Sequence, residues 1–198
     1  MHPVLQQLGA EHRDLRSLLA LLRRQPSLLA DPLAPNIGLL VDALSYLTSF
    51  PDVRHHPLED RLAERLLRRD AIDPAFVAEL EAQHERLGQQ GLDLLRDLEG
   101  AARGETLSRE LVATNICLYV ERLRHNMAFE ELLLFPAAAR ALDAADWRDI
   151  EADGLPGAPD PLFQPQAAQR FLQLRQAIER EAAASAQDAR PAFCEHAP

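Results

Sequence analysis

The chain has no lysine: all 21 of its basic residues are arginine, set against 31 acidic residues, for a net charge of −10. Arginine and lysine differ chemically, and no single function would exclude one everywhere, so we read this as coding bias. The sign of the balance says more. Nucleic-acid backbones and anionic membrane surfaces are gripped by clustered positive charge, and this acidic chain argues against both as partners. There are only two cysteines, Cys117 and Cys194, too few for a disulfide framework and wrongly spaced for a zinc motif. Cys117 lies in an apolar stretch and reads as a small core residue; Cys194 lies in a polar tail. No apolar run approaches the roughly 20 residues that a membrane span needs. The opening MHPVLQQLGAEHRD has no basic region followed by an apolar stretch, so no secretory signal is expected and the expected compartment is the cytoplasm.

Aromatics are scarce as well, at 5% of the chain, while apolar residues make up 47%. Leucine and alanine dominate, and both favour helix over strand. A chain of 198 residues has room for one domain with a sizeable core. Leu5, Leu8, His12, Leu15, Leu19 and Leu22 recur at steps of three and four, which predicts an amphipathic helix over about 4–24. A linker with Pro26, Pro32 and Pro35 follows. Ile37, Leu40, Leu44 and Leu47 predict a second helix over about 36–50. Pro51 and Pro57 should bend or break it, and it resumes over 57–69 with Leu58, Leu62 and Leu66.

Val77, Leu80, His84, Leu87, Gly91, Leu94 and Leu98 mark a third helix, about 74–103, closed by Gly104. The fourth, about 108–142, shows Leu111, Leu118, His125 and Leu132 at intervals of seven, with Pro136 near its end. Four long amphipathic segments predict an all-α four-helix bundle of up-down topology. A short helix over 145–152, a Pro/Gly-rich loop over 154–165 and an extra C-terminal helix over about 166–185 complete the reading. The expected organisation is a domain over 1–160, a helix packed on it over 161–186 and a tail over 187–198.

Three histidines thus occupy apolar stripes, and the second helix carries His55 beyond its bend. A buried imidazole without a partner is costly, and metal coordination satisfies several at one level of a bundle. Carboxylates accompany them: in His55-His56-Pro57-Leu58-Glu59, His55 and Glu59 stand one turn apart on one face. His125 precedes Glu130 and Glu131. The intervals from His12 to His55 and from His84 to His125 are 43 and 41 residues, a helix-pair pattern used twice. Mixed imidazole and carboxylate donors suit Fe, Mn or Zn rather than Ca or Mg.

The stretches HHPLED at 55–60 and EELLLFP at 130–136 resemble the two signature segments of the hemerythrin-like, HHE cation-binding family, and DW at 146–147 and DPLF at 160–163 resemble its bacterial members. The resemblance covers about residues 8–163. It implies that His12 and His55 bind one iron, that His84 and His125 bind the other, and that Glu59 and Glu130 bridge them. The implied cofactor is two iron ions per chain, carboxylate- or oxo-bridged, with Zn or Mn as alternatives. Two positions depart from the family. Oxygen carriers have a further histidine where this chain has Gly88, which implies fewer protein ligands on one metal. Many bacterial members place the fourth-helix histidine four residues before the first Glu, where this chain has Asn126. His125 stands five before Glu130, about 140° away on an ideal helix, so a π-bulge would be needed to align them.

His56 points about 100° from His55 and is expected beside the site or at the surface. Glu131 and Asp60 are expected in solvent or bonded to a ligand, and Glu121 is an alternative carboxylate. Tyr119 and Trp147 read as packing residues; His2 and His196 are terminal. The functional expectation is a di-iron protein that binds or senses dioxygen, peroxide or nitric oxide, or handles iron, and is more a binder than an enzyme. The alternative is a regulatory or interaction module with a structural metal. A monomer and a homodimer are both compatible with the sequence.

Overall fold

A computed structural model describes residues 1–23, 37–105, 108–152, 160–164 and 167–188, and among these there is no strand. The helices are α1 (Pro3–Arg23), α2 (Ile37–Ser49), α3 (His56–Arg68), α4 (Pro74–Ala102), α5 (Arg109–Phe129), α6 (Phe135–Ala141), α7 (Ala144–Ala152) and α8 (Leu172–Asp188). A π-helical turn, Pro51–His55, joins α2 to α3, and another, Glu130–Leu134, joins α5 to α6. The bundle therefore has four rods: α1, the α2–α3 pair, α4 and the α5–α6 pair. The expected linker after α1, most of the loop over 154–165 and the C-terminal tail lie outside the described residues.

Both π turns have the same local cause. Pro57 and Pro136 each stand second in the helix that follows and have no N–H to donate four residues back. In each case the residue before the proline bonds one position further back instead: His56 N–H donates to Pro51 O, and Phe135 N–H donates to Glu130 O. The widened turn absorbs the proline without breaking the rod. The other boundaries follow ordinary capping. Asp73 accepts from Ala75 N–H at 2.8 Å to start α4, and Ser108 accepts from Leu111 N–H at 3.3 Å to start α5. Gly104, with φ of +89°, ends the turn after α4.

The predicted stripes of α1 and α4 are all buried, and so are Leu40, Leu44 and Leu47 of α2 and Leu58, Leu62 and Leu66 of α3. The apolar interior forms two slabs. One contains Leu15–Leu22 of α1 together with α2, Leu87–Leu98 of α4 and Val112–Met127 of α5. The other contains Val4–Leu8 of α1 with α3, Leu80 of α4, α6 and Trp147 and Ile150 of α7. Each rod thus leaves a gap between slabs at one level, and polar residues fill it. Phe171, Leu174, Ala177 and Ile178 join the first slab from the α8 end of the chain. Tyr46 donates to Asp160 at 2.9 Å there, and burial near that carboxylate pushes its phenol pKa up.

The fourth helix departs from its expected register. Leu111, Leu118 and Leu132 are exposed, and so is Cys117. The inward positions are Val112, Ile116, Tyr119, Leu123, Asn126 and Glu130, which alternate steps of four and three. Val120 and Met127 are buried beside them, so the inward face is apolar apart from Asn126 and Glu130. Because both faces carry apolar residues at helical spacing, periodicity alone does not choose between them.

Gly91 marks the closest approach of α4 to α2: a Cβ there would lie 2.8 Å from Thr48 Cγ2 and 3.4 Å from Tyr119 Cε2. Thr48 is held by its own bond to Leu44 O at 2.9 Å. Gly91→Ala should therefore destabilise the fold by about 1–3 kcal/mol through overpacking, despite alanine's better helix propensity. Thermal unfolding checks this; an unchanged or raised midpoint would show that the α2–α4 contact yields freely.

Candidate metal centre

The polar layer between the slabs consists of His12 from α1, His55 from the first π turn, His56 and Glu59 from α3, His84 from α4, Asn126 from α5 and Glu130 from the second π turn. All seven are buried. Burying so many polar groups together is costly unless each is satisfied, and one half of each imidazole is. The Nδ1 of His12 bonds to Glu131 Oε1 at 2.9 Å, that of His55 to Glu11 Oε2 at 2.7 Å and that of His84 to Asp60 Oδ1 at 2.9 Å. His56 Nδ1 lies 3.1 Å from Asp52 Oδ1. Each supporting carboxylate lies nearer the surface than its ring, and each leaves Nε2 pointing at the middle of the layer. Gln7 and Arg16 in turn hold Glu11 and Glu131, at 2.9 and 2.7 Å.

The two fully buried carboxylates stand between the imidazoles. Glu59 Oε1 is 3.3 Å from His12 Nε2 and 3.2 Å from His55 Nε2, while its Oε2 is 3.7 Å from His84 Nε2. Glu130 mirrors it, with Oε2 3.3 Å from His12 Nε2 and Oε1 3.1 Å from His84 Nε2. Asn126 Nδ2 donates to Glu130 Oε1 at 2.7 Å. Two groups of donor atoms are compact enough to hold an ion, His12 with His55 and Glu59, and His56 with His84 and Glu59. Glu59 belongs to both.

Most of the convergent atoms have no hydrogen bond. His12, His55 and His56 Nε2, both oxygens of Glu59 and Glu130 Oε2 are buried without one. They are near enough to attract one another but poorly aligned to bond. Buried polar atoms are almost always satisfied, so six at one level fit a cation that all of them can bind. Protons do part of that work when no ion is present. Burial pulls the imidazole of His12 down, but Glu130 and Glu59 outweigh it and raise its pKa to about 9. Burial likewise opposes, and Glu59 and Glu11 raise, that of His55, to about 10. For His84 burial is outweighed by Asp60 and Glu130, and the value rises to about 9. Burial would raise the carboxyl of Glu59, yet the histidines hold it well below its ordinary value.

His12, His55, Glu59, His84 and Glu130 come together as expected from the sequence; His125 does not. It is exposed on the outer face of α5, and the aromatic ring near it is that of Phe129, centroids 6.3 Å apart. The π turn begins only at Glu130, so α5 keeps its ideal phase through residue 125 and the extra turn comes too late to rotate His125 inward. Asn126, one turn before Glu130, takes the inward place.

His56 is the residue that sequence reasoning missed. Its ring stacks on His84, with centroids 4.2 Å apart and planes 10° from parallel. The signal was present: His55 and His56 stand four and three residues before Glu59, and both spacings bring a side chain to the same helix face. A Cβ at Gly88 would sit 3.5 Å from Asp52 Oδ2, so the position that seemed vacant faces the carboxylate supporting His56. Glu121 is exposed, with Arg23 Nε 4.0 Å away, and Tyr119 is buried in the apolar slab. Trp147 packs in the other slab and stacks on His2 at 4.0 Å. His196 lies outside the described residues.

A helical bundle with imidazoles and carboxylates converging on one buried level is a cation-binding architecture. The model of the Hemerythrin HHE cation binding domain matches residues 4–143, and the chain belongs to that family. Neither the curated proteins nor the solved structures gave a match. Among the described residues, no helix is long and apolar enough to cross a membrane.

Proposed function

We propose that this is a non-haem di-iron protein that binds or senses dioxygen, peroxide or nitric oxide, or that handles iron itself. The proposed ligands are His12 and His55 for one ion, His56 and His84 for the other, and Glu59 and Glu130 between them. The observation that carries this reading is the set of six buried donor atoms without hydrogen bonds, aimed at one level from α1, α3 and both π turns. The donor set fits Fe, and Mn or Zn could occupy the same atoms. Bound iron would supply redox chemistry and open positions for a small ligand. The chain's own groups do the rest: Glu131, Glu11, Asp52 and Asp60 fix ring orientation through Nδ1, and the two leucine slabs keep bulk water out.

Metal analysis and visible absorption of untagged protein, supplemented with iron, test the proposal. About two irons per chain and an absorbing oxidised form are expected, as for other carboxylate-bridged bundles. A colourless, redox-silent protein that takes only zinc would refute iron and leave a structural metal. The supporting carboxylates provide a finer check. Asp60→Asn keeps the shape but weakens the hold on His84 Nδ1, and should cost about 10–100-fold in metal affinity. Unchanged affinity in a competition titration would mean that Asp60 does not support a ligand.

A further inference from the structure

We propose that a small uncharged ligand reaches the centre from the α4–α5 side, through a gate formed by Gln83 and Asn126, and meets the His56–His84 end first. This rests on the metal reading above and adds the direction of approach and the chemical class of ligand.

The centre is not sealed equally on all sides. His12, Glu59 and Glu130 have no solvent contact, whereas Gln83, the neighbour of His84, keeps 8% exposure and lines a cavity. A cavity of about 460 Å³ also lies on the His12 side, but there the Phe135 ring stacks on His12 at a centroid distance of 5.3 Å and the Arg16–Glu131 pair, at 2.7 Å, stands between it and the centre. On the α4–α5 side, a cavity of about 420 Å³ opens and is lined by Gln83. Leu118 lines it, and Gln83 is the lining residue that connects it to the centre.

A chain of contacts runs from that cavity inward. Gln83 Nε2 donates to Glu79 Oε1 at 2.9 Å. Asn126 Nδ2 reaches Gln83 Oε1 at 3.5 Å and Glu130 Oε1 at 2.7 Å. Glu130 Oε1 is in turn 3.1 Å from His84 Nε2. The long bond between the two amides is the weakest link, at the outer limit for a hydrogen bond. Rotation of the flexible Gln83 side chain breaks only that bond and the one to Glu79, and exposes Asn126 and the His84 side of Glu130. Asn126 itself is held by Glu130.

The chemistry of the path selects the ligand. Glu79 and Glu121 at the cavity are offset by Arg86 and Arg122, so the mouth favours neither sign of charge. Beyond it the ligand meets two neutral amides, which can exchange hydrogen bonds with a neutral polar molecule. An ion would give up its hydration at the two amides, whose own bonds already engage Glu79 and Glu130, and a neutral molecule has less hydration to lose there. Free passage of a small neutral molecule and slow passage of ions is the expected behaviour.

The test is stopped-flow binding of nitric oxide to the ferrous-loaded protein, with iron content measured for every variant. Leu118→Trp narrows the cavity from a half-exposed position and should slow association and dissociation together by about tenfold, within the range over which association rates vary. Gln83→Ala removes the gate and should speed both. The equilibrium constant should stay the same in each, because neither residue binds the metal. Ala139→Trp, at the separate cavity beside Phe135, should change nothing. Unchanged rates in the first two variants at full iron content would overturn the route, as would slowing by Ala139→Trp or an affinity change without a rate change. If Leu118→Trp does not fold, the acceleration by Gln83→Ala decides alone. Wild-type protein that takes up no iron would overturn the metal reading, and the route with it.

Discussion

His56→Ala should hold no more than about half the iron of the wild-type protein, while His125→Ala should hold all of it, because ligand loss opens one side of a metal pair. His56 is buried against His84 with its Nε2 unbonded, and Asp52 fixes its other nitrogen. His125 is exposed and contributes nothing to the layer. His84→Ala should match His56→Ala, since the two serve the same proposed position. Metal analysis after desalting decides the matter. Full retention by His56→Ala, or loss by His125→Ala, would show that the proposed ligand set has been misassigned.

The second large effect is expected at Glu59, which lies in both donor groups. Glu59→Gln should abolish binding at both positions rather than one, since the shared carboxylate supplies an oxygen to each. It should also weaken the metal-free fold by about 3–5 kcal/mol, because protonated imidazoles would remain buried without their counter-charge. The pH dependence of that fold carries the same signature. Folded-state values of about 9 to 10 for His12, His55 and His84 lie above the ordinary 6.5. Their stabilisation is therefore complete below about pH 6.5 and is lost as pH rises through 9 to 10. Glu59 is shifted the other way, so its contribution is present above its ordinary pKa and lost as pH falls below it. Metal-free wild-type protein should be most stable in the mildly acid range and lose stability on both sides. Chemical denaturation across pH reads this directly. In Glu59→Gln the alkaline loss should shrink; an identical profile would mean that Glu59 does not hold those protons.

Metal uptake near neutral pH should release protons for the same reason, since the imidazoles must give up hydrogen to bind an ion. This links affinity to pH without any further residue. Glu130 resembles Glu59 in burial but is shared with Asn126, which ties it to the α4–α5 side. The two carboxylates are therefore not interchangeable, and the approach of a ligand is expected to disturb Glu130 more.

Much of this protein was legible before any tertiary structure. Apolar residues at steps of three and four along α1 and α4 allow only one buried face, and His12 and His84 stand on it with no competing stripe. His55 and Glu59, one turn apart, are placed by helix geometry alone. Fold class, rod count and four of the six converging side chains, His12, His55, Glu59 and His84, follow from such local periodicity; Glu130 followed from the resemblance of EELLLFP at 130–136. The fourth rod did not follow, because two apolar stripes compete there and the one at intervals of seven, with Leu111, Leu118 and Leu132, faces outward. Only packing against α1 and α4 decides between them, and it selects the stripe containing Asn126 and Glu130. His56 was undecided for a related reason: adjacent residues on a helix diverge by about 100°, and whether both can face a shared carboxylate depends on where the neighbouring rods leave space. Here α4 brings His84 against His56 and Asp52 orients the ring. Sequence periodicity determined which faces could be buried; the tertiary structure decided which of two possible faces was, and so which histidine joined the centre.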